Sequence, residues 1–136
     1  MRDLLNNSTV DDLVPAVNTG YEFDDTHSGL TVNGTAVDLK GEGRKCLVLI
    51  SVGATSTATL QINITSGTDN SAFGTTEHTA EYDTTGLTEI DLSPQNRYMR
   101  VEYTVSETAA AAEHCYVSFS VKGVVYNERY IPSNVA

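Results

Sequence analysis

The sequence predicts an all-β protein, an antiparallel β-sandwich or jelly-roll-like barrel of about eight strands with an extended N-terminal arm. Three observations lead there. Cys46–Val52, CLVLISV, is a nearly continuous apolar run rich in β-branched residues, the pattern of a strand covered on both faces. Beyond it, Leu60, Ile62 and Ile64 alternate with Thr59, Gln61 and Asn63, which gives one apolar and one polar face. No segment carries a helical period long enough for a parallel crossover, and turn residues punctuate the chain at close spacing.

In chain order, residues 1–19 are polar and irregular, with Asp11, Asp12 and Pro15 opposing any helix that Leu4-Leu5 would start. They are expected to form the arm, residues 20–126 the sandwich, and residues 127–136 a tail broken by Pro132. Tyr21–Phe23 offers a short strand, closed by a turn through Asp24, Asp25, His27, Ser28 and Gly29. Leu30–Leu39 reads as a tight hairpin, because Asn33-Gly34 suits the two positive φ angles of a type I′ turn. After the Gly41-Glu42-Gly43 loop come the apolar strand and the alternating strand Thr57–Thr65, then a polar loop, Ser66–Gly74, anchored by Phe73.

Weaker strands follow at Thr76–Tyr82 and Leu87–Leu92, on either side of Thr84-Thr85-Gly86, and Ser93–Asn96 is a further turn. Arg97–Val105 alternates again, with Met99, Val101, Tyr103 and Val105 on one face and Tyr98, Arg100, Glu102 and Thr104 on the other. Ala109–Ala112 is too short to stand as a helix. The last long strand, His114–Val121, turns Cys115, Val117, Phe119 and Val121 inward, and Gly123 marks a bend or bulge before Val124–Tyr126.

The chain of 136 residues fits one domain with a single core. Eighteen acidic against eight basic side chains leave a net charge of −10, and Cys46–Asn96 holds no Lys or Arg. That balance opposes nucleic-acid binding, which needs a basic footprint, and opposes docking on an anionic membrane. The first residues lack the apolar core of a secretory signal and no run approaches the length of a membrane helix. The protein is therefore expected to be made and, at least at first, kept in a reducing cytoplasm, with Cys46 and Cys115 as buried free thiols.

Little in the chain points to catalysis. His27, His78 and His114 are scattered, and no Ser or Cys stands in a nucleophile frame. Cys115 beside His114 lacks the closely spaced ligand pairs of a zinc site. The acids Asp11-Asp12 and Glu22 with Asp24-Asp25 lack EF-hand spacing and read as solvated loops. Gly41-Glu42-Gly43-Arg44-Lys45 precedes a strand where a phosphate loop must open a helix. The sequons at Asn7, Asn33 and Asn63 are read as chance in a Thr-rich chain. No enzyme activity, cofactor or metal is expected. The better candidates are Tyr98 and Arg100 on the polar face of Arg97–Val105, since Tyr and Arg dominate interface hot spots.

Three stretches carry a family likeness: MRDLLNN at the start, VDLKGEGRKCLVLISVG over Val37–Gly53, and NRYMRVEYTV over Asn96–Val105. Together with the late strand ending near Val125, they resemble a group of small structural proteins of tailed bacteriophages and prophages. The chain departs from that group after Val125, where a tail containing Tyr and Asn follows. The resemblance implies a virion component, first a decoration or cement protein on the outer surface of a phage head, made in the host bacterial cytoplasm. Its implied partner is the major capsid protein, and its implied state a homotrimer at quasi-threefold sites. Arm residues Arg2, Leu4, Leu5, Val10 and Leu13 would then join Tyr98 and Arg100 as contacts. The alternatives are a head–tail or tail component, and a carbohydrate-binding β-sandwich in which Tyr98 or Tyr103 stacks on sugar rings.

Overall fold

The computed structural model describes residues 8–18, 31–40, 44–56, 58–107 and 116–127. They form nine strands: β1 (Ser8–Asn18), β2 (Thr31–Asn33), β3 (Val37–Asp38), β4 (Arg44–Ser56), β5 (Ala58–Gly67), β6 (Thr75–Tyr82), β7 (Gly86–Leu92), β8 (Tyr98–Glu107) and β9 (Tyr116–Asn127). The first sheet has the order β1-β9-β4-β7, and the second β2-β8-β5-β6 with β3 also on β8. Every pairing between them is antiparallel.

Those pairings are nested. β1 pairs with β9, β2 and β3 with β8, β4 with β7, and β5 with β6. A long antiparallel ribbon whose tip is β5–β6, rolled so that alternate pairs fall in opposite sheets, has this order, which is the jelly roll. Of the two architectures left open by alternation, the rolled one is adopted.

The core lies between the sheets. From the first sheet come Cys46, Val48, Ile50 and Val52 of β4 and Val117, Phe119, Val121 and Val125 of β9. From the second come Leu60, Ile62 and Ile64 of β5 and Met99, Val101 and Val105 of β8. Each aliphatic side chain buried in full contributes roughly 1.5–3 kcal/mol, and the period of two places these residues on one face of each strand.

Four expectations change. Cys46–Val52 is buried on one face only, since Leu47 and Leu49 are half-buried and Ser51 is exposed. Leu30–Leu39 is no hairpin: Thr31 pairs with Thr104 and Val37 with Met99, so β2 and β3 run the same way along β8 as one interrupted edge strand. Neither Asn33 nor Gly34 has a positive φ. Gly34 is there for space, because a Cβ at this position would sit 2.4 Å from the Leu13 carbonyl oxygen and 2.9 Å from that of Val101.

Gly123, likewise, marks no bulge and does not end its strand. It pairs with Val48 and with Asp11 inside a continuous β9, where a Cβ would come 2.9 Å from Leu13 Cδ1 and 3.1 Å from Cys46 Sγ. The fourth change concerns the arm. Ser8–Asn18 is β1, an edge strand of this chain's own sheet, paired with β9 from Ser8↔Tyr126 to Asn18↔Ser118. Residues 1–7, Tyr21–Phe23, His27, Ala109–Ala112, Cys115 and the tail beyond Asn127 lie outside the described residues.

Candidate functional site

Two outward faces compete as contact surfaces, and they are built from opposite chemistry. On the second sheet, Tyr98, Arg100, Glu102 and Thr104 alternate with the buried residues of β8 and point away from the core, half-buried. Beside them stand Gln61 and Asn63 of β5 and Thr79 and Glu81 of β6. This face binds itself. The Arg97 guanidinium donates from Nε and Nη2 to Asp38 Oδ1 and Oδ2, both at 2.8 Å. The bond from Arg97, together with the Lys40 amide, holds the Asp38 carboxyl down to about 2.

The same guanidinium lies 5.1 Å from the centre of the Tyr98 ring. Arg100 lies 4.4 Å from the centre of the Phe73 ring and donates from Nη2 to Glu102 Oε1 at 2.8 Å. Thr31 bonds Thr104 at 3.0 Å, and the Thr79 hydroxyl donates to Asn63. At the end of this sheet, Glu77 Oε1 accepts from Ser66 Oγ at 2.6 Å and from the Gln95 amide at 2.8 Å, while Asn96 Nδ2 donates to Ser66 and Thr75. The loop after β5, residues 68–74, is folded by Asp69, whose Oδ1 accepts from the Ser71 amide and hydroxyl and the Ala72 amide.

The outward face of the first sheet differs. Register places Val10 of β1, Val124 of β9 and Leu47 of β4 in one row, with Asp91 of β7 at its end. The next row holds Asp12, Lys122, Leu49 and Glu89, and beyond it Leu87 stands beside Ser51. Val10 is 68% exposed and Leu87 63%, while Leu47, Leu49 and Val124 are half-buried. Lys45 Nζ lies 3.4 Å from Asp91 Oδ2, and the Tyr126 hydroxyl donates to Asp91 Oδ1 at 2.8 Å. The result is an apolar row across three strands, Val10, Val124 and Leu47, with Leu49 and Leu87 set beside it among the charged Asp12, Lys122 and Glu89, a mixture that suits a protein contact surface.

The structure sorts the candidate contacts. Arg2, Leu4 and Leu5 lie outside the described residues. Val10 is on the outward row, but Leu13, only 1% exposed, belongs to the core and is withdrawn as a contact. The cause is a bulge between Asp12 and Val14, which lets two successive apolar residues of β1 face inward. Tyr98 and Arg100 are outward as expected, yet each is engaged by a neighbouring side chain.

The sequence reading missed Leu47, Leu49, Leu87 and Val124. The signal for the first two was in the run Cys46–Val52, where apolar residues occupy both parities although one parity fills the core.

For sugar stacking, Tyr103 is turned inward, its ring edge-on to Phe119 at 4.9 Å and 73°, and the Tyr98 ring carries Arg97. Among the described residues no three His, Cys, Asp or Glu side chains are grouped to hold a metal ion. Burial pushes the Cys46 thiol up to about 12, so it stays protonated.

No family model matches this chain, and no curated protein sequence is similar to it. Solved structures are. The VP2 subviral particle of infectious bursal disease virus superposes with a TM-score of 0.60 over 92% of this chain at 16% identity. A T13 particle of the same virus gives 0.57 over 92% at 13%, and its Gt strain gives 0.54 over 92% at 14%. This chain spans about a third of those chains, 33%, 32% and 34% respectively. At such identity the similarity is one of fold: the β-sandwich described above is shared with part of the VP2 chain of that virus.

Proposed function

We propose that this protein is a non-enzymatic structural component of a tailed-phage or prophage virion, a decoration protein that binds the outer surface of the capsid through the outward face of its first sheet. The observation that carries this reading is the outward row Val10–Val124–Leu47 with Leu49 and Leu87 beside it, of which Val10 and Leu87 are left toward solvent, on a sandwich of capsid-like fold. Burying apolar surface at roughly 25 cal/mol per Å² makes this face the one that gains from a partner. The partner is the major capsid protein, and trimers at quasi-threefold positions would multiply modest contacts by avidity.

The test combines stoichiometry with mutation. Quantitative mass spectrometry of purified particles should find copy numbers close to one per capsid subunit; a handful of copies points instead to the neck or tail. Val10→Asp with Leu87→Asp should abolish binding to undecorated capsids while leaving the melting temperature unchanged. Full binding by that double variant would remove this face from the reading.

A further inference from the structure

The pair Asn33-Gly34 joins a chemically labile dipeptide to a locked backbone. In a free chain the amide nitrogen after an asparagine attacks the side-chain Cγ. An N–C bond forms, the C–NH₂ bond breaks, and ammonia leaves with the proton of the attacking amide. Water then opens the five-membered ring at either carbonyl, giving aspartate or isoaspartate. Glycine in the second place makes the attack fast, because no Cβ obstructs it.

Here both requirements of the attack are opposed. The Gly34 amide is spent as a donor to the Val101 carbonyl at 2.7 Å, and Asn33 is held extended against Glu102 of β8. The next amide, Thr35, donates to the Leu13 carbonyl at 2.9 Å. The glycine is itself obligatory, hemmed in by two carbonyl oxygens and by Val14 Cγ2 at 3.0 Å from where its Cβ would be.

We infer that Asn33 is a fold-gated deamidation site, silent while β2 lies on β8 and reactive whenever that edge opens. β2 is three residues long and exposed along its length, which places it at the low-stability end of the molecule. Conversion is one-way. It sets a second carboxylate opposite Glu102, and like charges directly opposite weaken a ladder. The isoaspartate product also adds a backbone carbon, which strand register does not accommodate. Each event therefore loosens the edge that guarded it.

The full chain is incubated in mildly alkaline buffer, native and in unfolding guanidinium chloride, and conversion at Asn33 is followed by peptide mass spectrometry, with Asn63, which precedes Ile64, as an internal control. Native conversion should be at least about tenfold slower than unfolded, the factor that about 1.4 kcal/mol of opening free energy supplies. Val14→Ala, which removes the methyl against Gly34, should speed the native rate and leave the unfolded rate alone. If that variant does not fold, wild type at guanidinium concentrations below its transition should show the same acceleration. Equal native and unfolded rates, or a native rate that neither perturbation moves, overturn the inference.

Discussion

On the outward face of the second sheet, Arg97 is held by Asp38, Arg100 by Glu102 and Phe73, and Thr31 by Thr104. On the outward face of the first, Val10 and Leu87 meet solvent with most of their surface. One core is shared between the sheets, so the contrast does not arise from folding demands. A polar face whose charged side chains are already paired with one another gains little from a partner, because a new contact to them replaces one already made. An apolar row gains by being covered. The sheet that looks less like a binding surface in composition, with few Tyr and Arg, is the one with free energy left to release.

The same contrast runs within β1, and there it gives the largest expected effect. Val10 and Leu13 are three residues apart, yet one is exposed and the other sealed against Gly123. Leu13→Ala should cost about 2–5 kcal/mol of stability, read as a fall in denaturant midpoint. Val10→Ala should stay within about 0.5 kcal/mol of wild type. A free arm would show neither loss, and deletion of residues 1–14 would leave the fold intact. With β1 as an edge strand, that deletion should abolish cooperative unfolding, since Leu13 and Val14 leave the core and β9 loses its neighbour.

Next comes the junction between the sheets. Gly34→Ala forces a Cβ against the Leu13 and Val101 carbonyls, both backbone atoms that cannot rotate away. A loss of roughly 1–3 kcal/mol is expected from such overpacking. If Asn33-Gly34 were a type I′ turn in solvent, the alanine would be penalised for its φ alone, and the Gly34 amide would exchange with solvent freely. Slow hydrogen exchange at that amide is the separating measurement, because its bond to Val101 is internal.

What could be read from the chain beforehand follows a physical line. The strands β5 and β8 were legible because Leu60, Ile62 and Ile64, and Met99, Val101 and Val105, sit at strict alternation over a one-sided core. β1 was not, because its bulge between Asp12 and Val14 and the Pro15 that follows break the period a strand is recognised by. Asn33-Gly34 misled for a different reason. The dipeptide has two uses, a turn with positive φ and a close approach, and only tertiary packing chooses between them. The rolled strand order was out of reach, since alternation fixes faces and not neighbours. The outward apolar row was visible in half. Leu47 and Leu49 stand at the wrong parity for the core, but Val10 and Val124 join them only through register.

The smallest expected effect lies on the polar face and carries a sign. The Asp38 carboxyl is held at about 2, below its ordinary 3.8, by Arg97 and the Lys40 amide. A depressed carboxylate contributes stability that is present above the unfolded value and is lost as pH falls through the folded one. Wild type should therefore exceed Asp38→Asn in melting temperature at neutral pH, with the margin shrinking between about pH 4 and pH 2. The pair is exposed to solvent, so the margin should be small and shrink further in high salt. Binding to capsids should not respond to this substitution at all, because Asp38 and Arg97 belong to the second sheet. A capsid affinity that follows the Asp38–Arg97 pair instead of Val10 and Leu87 would exchange the roles of the two faces.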